Sequence, residues 1–217
     1  MTQEDKDYAV QLADEEIRFG FSMPDNIVER ISDAFEDQDS FDRDWLESYV
    51  NSCFSARLEE SKSWTRPTGF DRLAEAFDEL IKDRIVCLHK AGYTRQDGED
   101  DCLEVIRELQ QQGKQPMGFC FYHEQDLARA IDPGIGSLFL SYNSPSFREE
   151  EALVVANMIV SALKRRNFNV SWNGSVDERI KILDIDFRKV PDQQDWGMER
   201  VLRLFPGVKG KPFWKFW

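Results

Sequence analysis

The sequence predicts an α/β protein. We expect a mostly parallel four- to five-stranded sheet with an antiparallel edge strand, preceded by an acidic helical region. Three observations carry this reading. From Ile85 to Trp172, short apolar runs alternate with segments of helical period, the pattern of strands joined by crossover helices. Asn173-Gly174 then precedes an alternating run from Ile180, which reads as a hairpin adding an antiparallel strand. Before Ser61 the apolar residues recur at helical spacing and the charge is strongly one-sided.

In the first third, Gln3 to Gly20 reads as a helix through Tyr8, Leu12 and Phe19, with Gly20 as a stop. Pro24 opens a second helix carrying Ile27, Ile31 and Phe35, since proline suits a first turn. Asp42 caps a third helix, with Trp45, Tyr49, Phe54 and Leu58. The polar stretch from Ser61 to Pro67 marks a boundary. Thr68 caps the next helix, which ends near Arg84.

Ile85–Leu88 reads as the first strand and ends in His89. Asp97 or Asp100 to Gln112 is helical, and Met117–Tyr122 is the second strand, ending in His123. Glu124–Ile131 is a helix stopped by Pro133 and Gly134. Ser137–Tyr142, Phe147–Asn167 and Phe168–Trp172 read as strand, helix and strand, and Ile180–Phe187 as the partly exposed fifth strand. The expected division is an acidic helical region at 1–66, an α/β domain at 67–190, and an aromatic and basic tail at 191–217 packing on the body.

Composition narrows the function classes. The chain has 217 residues, 41 acids against 28 bases, and a net charge of −13. Residues 1–60 hold 17 acids and 5 bases, whereas residues 198–217 hold 1 acid and 5 bases. That balance argues against nucleic-acid binding, which needs a basic footprint. Sixteen Phe and six Trp argue against disorder. No apolar run is long enough for a membrane span, and the first twenty residues are acidic rather than signal-like. Cys53, Cys87, Cys102 and Cys120 lack framework spacing and read as reduced thiols, which predicts a cytoplasmic protein.

His89 and His123 each follow an apolar strand directly, and ligands of open parallel sheets sit at the carboxyl ends of strands. Parallel pairing gathers a rim there. His89, His123, Asp126 and Asp97 are the candidate catalytic residues. Tyr93, Thr94, Tyr122, Gln125, Tyr142 and Asn143 are the candidate ligand contacts. The competing reading has each histidine capping the next helix or packing on the sheet. Cys87, His89, Cys120 and His123 have zinc-ligand chemistry, but Cys120 and His123 are three apart and face opposite ways on a strand. No metal and no cofactor is therefore expected. No G-x-S-x-G, P-loop, G-x-G-x-x-G or H-E-x-x-H occurs.

Phe70-Asp71-Arg72-Leu73, Leu88-His89-Lys90-Ala91-Gly92-Tyr93-Thr94, Asp97-Gly98 and Cys120-Phe121-Tyr122-His123-Glu124-Gln125-Asp126-Leu127 resemble a bacterial family of uncharacterised proteins, a domain of unknown function. The resemblance covers about residues 70–187, and the N-terminal helices lie outside it. It implies a bacterial, cytoplasmic protein and carries no assigned activity.

Two functions fit these residues. The first is a non-catalytic binding protein, of immunity or regulatory type, whose acidic surface meets a basic protein partner. The second is a hydrolase or transferase, or a sensor of a small-molecule ligand, working at the strand-end rim. There His89 or His123 is the general base, Asp126 or Asp97 orients it, and Tyr93 or Tyr122 donates to the substrate.

Overall fold

The computed structural model describes residues 1–35 and 41–207. Among these are eight helices and one five-stranded mixed sheet. The chain divides into two compact units. The helical unit comprises residues 1–72, 128–136 and 185–194, and the α/β unit comprises 73–127, 137–184 and 195–217.

Each helix of the helical unit starts where its cap dictates. Thr2 and Asp5 form a capping box for α1 (Gln3–Phe19). Pro24 occupies the first turn of α2 (Pro24–Ala34), where its missing N–H costs nothing. Asp42 accepts from the Trp45 amide at the start of α3 (Arg43–Ser61). The three helices bury one core, including Ala13, Ile17, Ile27, Ile31, Leu46 and Val50. Thr68 and Asp71 exchange hydrogen bonds of 3.2 and 2.9 Å at the start of α4 (Gly69–Lys82).

In the α/β unit, α4 leads into β1 (Ile85–Leu88), followed by α5 (Arg95–Gln111), β2 (Gly118–Phe121) and α6 (Glu124–Ile131). Then come β3 (Leu138–Asn143), α7 (Glu149–Arg165), β4 (Asn169–Ser171), β5 (Ile180–Leu183) and α8 (Met198–Leu204). The strand order is β1-β2-β3-β5-β4. Two glycines identify the faces. A Cβ on Gly98 of α5 would lie 2.4 Å from the Phe121 ring, and one on Gly118 would lie 2.3 Å from Val155 of α7. Gly118 and Phe121 point to opposite sides of β2, so α5 and α7 cover opposite faces of the sheet.

The α/β class holds, but the sheet is less parallel than expected. Only β1 and β2 pair in parallel, while β2–β3, β3–β5 and β4–β5 are antiparallel. The cause lies in the connection after β2. Residues 128–136 pack within the helical unit, where Arg18 donates to the Ile131 carbonyl and Gly136 accepts from the Ile185 amide at 2.9 Å. That segment is therefore not a crossover laid along the sheet. β3 starts beyond the end of β2 and runs back beside it, with Ser141 opposite Phe121 and Asn143 opposite Phe119. α7 then carries the chain past one position, and the β4–β5 hairpin places β5 between β3 and β4. The antiparallel strand of the hairpin is thus interior, and β4 is the edge. β5 also stops at Leu183. Asp184 turns at φ 50, and Ile185 and Phe187 belong to the helical unit.

Part of the segment read as tail is ordered structure, because Met198–Leu204 forms α8. Arg200 of α8 makes a two-pronged contact with Asp78, at 2.9 and 2.7 Å. The aromatic residues Phe213, Trp214, Phe216 and Trp217 lie outside the described residues.

Candidate functional site

The parallel pairing of β1 and β2 sets His89 beside Tyr122. Leu88 is opposite Phe121, and beyond the strands Ala91 donates to the Tyr122 carbonyl at 2.9 Å. Glu124 donates in turn to the Gly92 carbonyl at 3.1 Å, which extends the pairing past both histidines. His89 Nδ1 lies 2.9 Å from the Tyr122 hydroxyl. The imidazole packs at 4.6 Å on Phe77 and at 5.5 Å, edge to face, on Trp196. His89 is 6% exposed, and burial pushes the Tyr122 phenol well up. A cavity of about 200 Å³ opens beside this ring, lined by Lys90, Asp101, Glu104 and Met198 among others. Burial, then the neighbouring Glu104, Asp97 and Asp100 charges, pushes the Asp101 carboxyl up.

His123 has separate partners. Its Nδ1 accepts from the Asp126 amide at 3.4 Å, capping α6, and its Nε2 lies 2.9 Å from the Asp126 carboxylate. That geometry assigns the neutral tautomer with the proton on Nε2. Asp126 is fully buried and also receives Arg179 Nη1 at 2.9 and 3.0 Å. Arg179 lies over the Phe139 ring at 4.7 Å. Sequence reasoning missed Arg179. The only signal for it is an arginine directly before an alternating strand.

The remaining candidates disperse. Thr94 and Asp97 form the capping box of α5, and the hydrogen bond from the Thr94 backbone, above all, holds the Asp97 carboxyl below its ordinary range. Tyr93 is 57% exposed and Gln125 is half-buried. Because β3 is antiparallel to β2, Tyr142 and Asn143 lie opposite Cys120 and Phe119, back along β2 from His123. Tyr142 donates there to the Ser175 carbonyl at 3.0 Å and accepts from Trp172 at 3.1 Å. Cys87 stands opposite Cys120, and burial pushes the Cys87 thiol well up. Among the described residues, no group of three or more His, Cys, Asp and Glu side chains is arranged to hold a metal ion.

The second candidate is the acidic exterior of the helical unit. Asp25, Glu29 and Asp33 form an exposed stripe at i, i+4 and i+8 on α2. Glu4, Asp7 and Asp14 are exposed on α1, and Asp44 and Glu47 on α3. Asp14 accepts from the Tyr49 hydroxyl at 2.8 Å, and burial followed by this contact pushes the Tyr49 phenol up. Glu16 is the exception, since it is buried and engaged by Arg30 and by Ser22.

The chain belongs to the family described as Domain of unknown function (DUF6891), whose model matches residues 2–190. The match takes in the acidic helices, so the resemblance seen from residue 70 onward extends to the N-terminus. No curated protein and no solved structure matches the chain. Among the described residues, no helix is long and apolar enough to cross a membrane.

Proposed function

We propose that the protein is a non-catalytic binding protein and that the acidic exterior of its helical unit receives a basic protein partner. The observation that carries this reading is the α2 stripe. Like charges at i, i+4 oppose one another, and although Asp25 in the first turn is favoured by the helix dipole, Glu29 and Asp33 add like-charge pairs to an exposed face. A field of this kind speeds encounter and selects for positive partners.

The test is a titration with a lysine-rich peptide, followed by backbone amide shifts. The reading expects shifts along α1, α2 and α3, and an affinity that falls about tenfold or more between roughly 50 and 300 mM salt. Replacing Asp25, Glu29 and Asp33 by lysine is expected to remove the shifts on α2. Shifts confined to the α/β unit would count against it.

The cavity beside His89 favours a second reading, a small-molecule site without the acidic surface. Under that reading His89→Ala abolishes the biological phenotype while the α2 charge reversal leaves it intact.

A further inference from the structure

We propose that a cavity of about 670 Å³ in the α/β unit, at the end of α4 and beside the end of α8, binds an amphipathic organic anion. The class is a carboxylate or phosphate monoester carried on an apolar body. The volume lies within the range of small-molecule sites. The lining combines two chemistries. Lys82, Arg84 and Lys114 supply three cations, and Met117, Met158 and Phe205 supply an apolar wall.

The cations are what set this cavity apart. None of the three forms an ion pair with a carboxylate among the described residues. In the same unit Lys90, Arg165, Arg166, Arg179 and Arg200 are paired and Arg95, Arg107, Lys164, Lys181 and Arg203 form no ion pair among the described residues, so the distinction lies in three such cations meeting around one concavity. In a chain with 41 acids and 28 bases, three unpaired cations around one concavity make a local positive potential against the net charge. Two of them are held in place. Lys114 donates to the Leu202 carbonyl at 3.3 Å and lies 6.0 Å over the Phe205 ring. Arg84 reaches Met117 Sδ at 3.9 Å from a backbone at φ 69, a left-handed conformation that glycine or asparagine takes more readily. A long cation kept at a strained position is a reason to look for a use of its side chain.

Asp83 also lines the cavity, and it narrows the class. One carboxylate beside three cations suits a single anionic head better than a polyanion such as nucleic acid. The apolar wall needs a body to cover it.

Amide shifts of the full chain, titrated with 4-phenylbutyrate, with phenyl phosphate and with the neutral 4-phenylbutan-1-ol, test this directly. Saturable shifts are expected at residues 82–84, at 114, 115 and 117, and at 205 and 207, with at least one anion binding about tenfold tighter than the alcohol. The two anions distinguish carboxylate from phosphate as the preferred head. Lys82→Glu and Arg84→Gln are each expected to weaken that anion about three- to tenfold. Lys82 is exposed with no ion pair among the described residues, so its reversal leaves the fold intact. Equal binding of the alcohol, unchanged affinity in both variants, shifts elsewhere, or tighter binding of a duplex oligonucleotide at this cavity would each overturn the proposal.

Discussion

Asp126 concentrates more dependence than any other residue of the rim. Its carboxylate is fully buried and faces His123 and Arg179 together. Removing the charge leaves Arg179 with a neutral partner, and breaking one side of a buried pair costs about 3–5 kcal/mol. Asp126→Asn is therefore expected to lower the urea midpoint by that equivalent with an unchanged slope. Half of this arrangement was legible in the sequence, because His123 and Asp126 are three apart at a helix start. Arg179 was not, because its approach depends on strand direction, which local pattern does not encode. Lys189 makes a different prediction at the same scale. It is buried, lies 5.0 Å from the Phe21 ring and bonds Asp192 at 3.1 Å, and burial pushes its amine below the ordinary 10.5. The unfolded chain then holds this proton to higher pH than the folded one. Stability from this group is present above 10.5 and is lost as pH falls through the folded value. Unfolding free energy measured from pH 8 upward is expected to carry a rising contribution that Lys189→Met lacks.

At the scale of elements, α2 and β2 show what sequence pattern reads well and what it does not. Helix spacing, Pro24 and the caps at Asp42 and Thr68 place the first four helix starts, because each signal is local. Strand positions were legible for the same reason, with Ile85–Leu88 and the apolar centre of β2 visible as runs. Pairing direction was not. The connection from Tyr122 to Ser137 has helical period like a crossover, yet its second half packs in the helical unit. The short α8 escaped because seven residues carry little periodic signal. Two variants probe these elements. Glu29→Lys turns two like-charge i, i+4 spacings into attractive ones, and each such pair is worth about 0.2–0.5 kcal/mol. The variant is expected to be more stable in urea than the natural chain. Gly118→Ala sets a methyl against Val155, and overpacking of this kind costs about 1–3 kcal/mol. Thermal unfolding is the readout, and an unchanged midpoint would mean that α7 does not press on β2 at this point.

For the whole molecule, the charge is the property that organises the account. It is not spread evenly: residues 1–60 hold 17 acids and 5 bases, and the acids there are mostly exposed. Among the candidates at the strand ends, His89 meets Tyr122 and His123 meets Asp126, while Tyr142 bonds Ser175 and Glu178. The acidic surface needs no such convergence to work, because a field acts through many scattered charges. The cations at Lys82, Arg84 and Lys114 lie instead in the α/β unit. The central claim is that the helical unit binds a basic protein. Affinity capture from the native host, with the natural chain and the Asp25, Glu29 and Asp33 lysine variant side by side, tests it most directly. One enriched protein of high isoelectric point, released by salt and lost with the variant, is expected. A partner retained by the variant and lost with His89→Ala would contradict it.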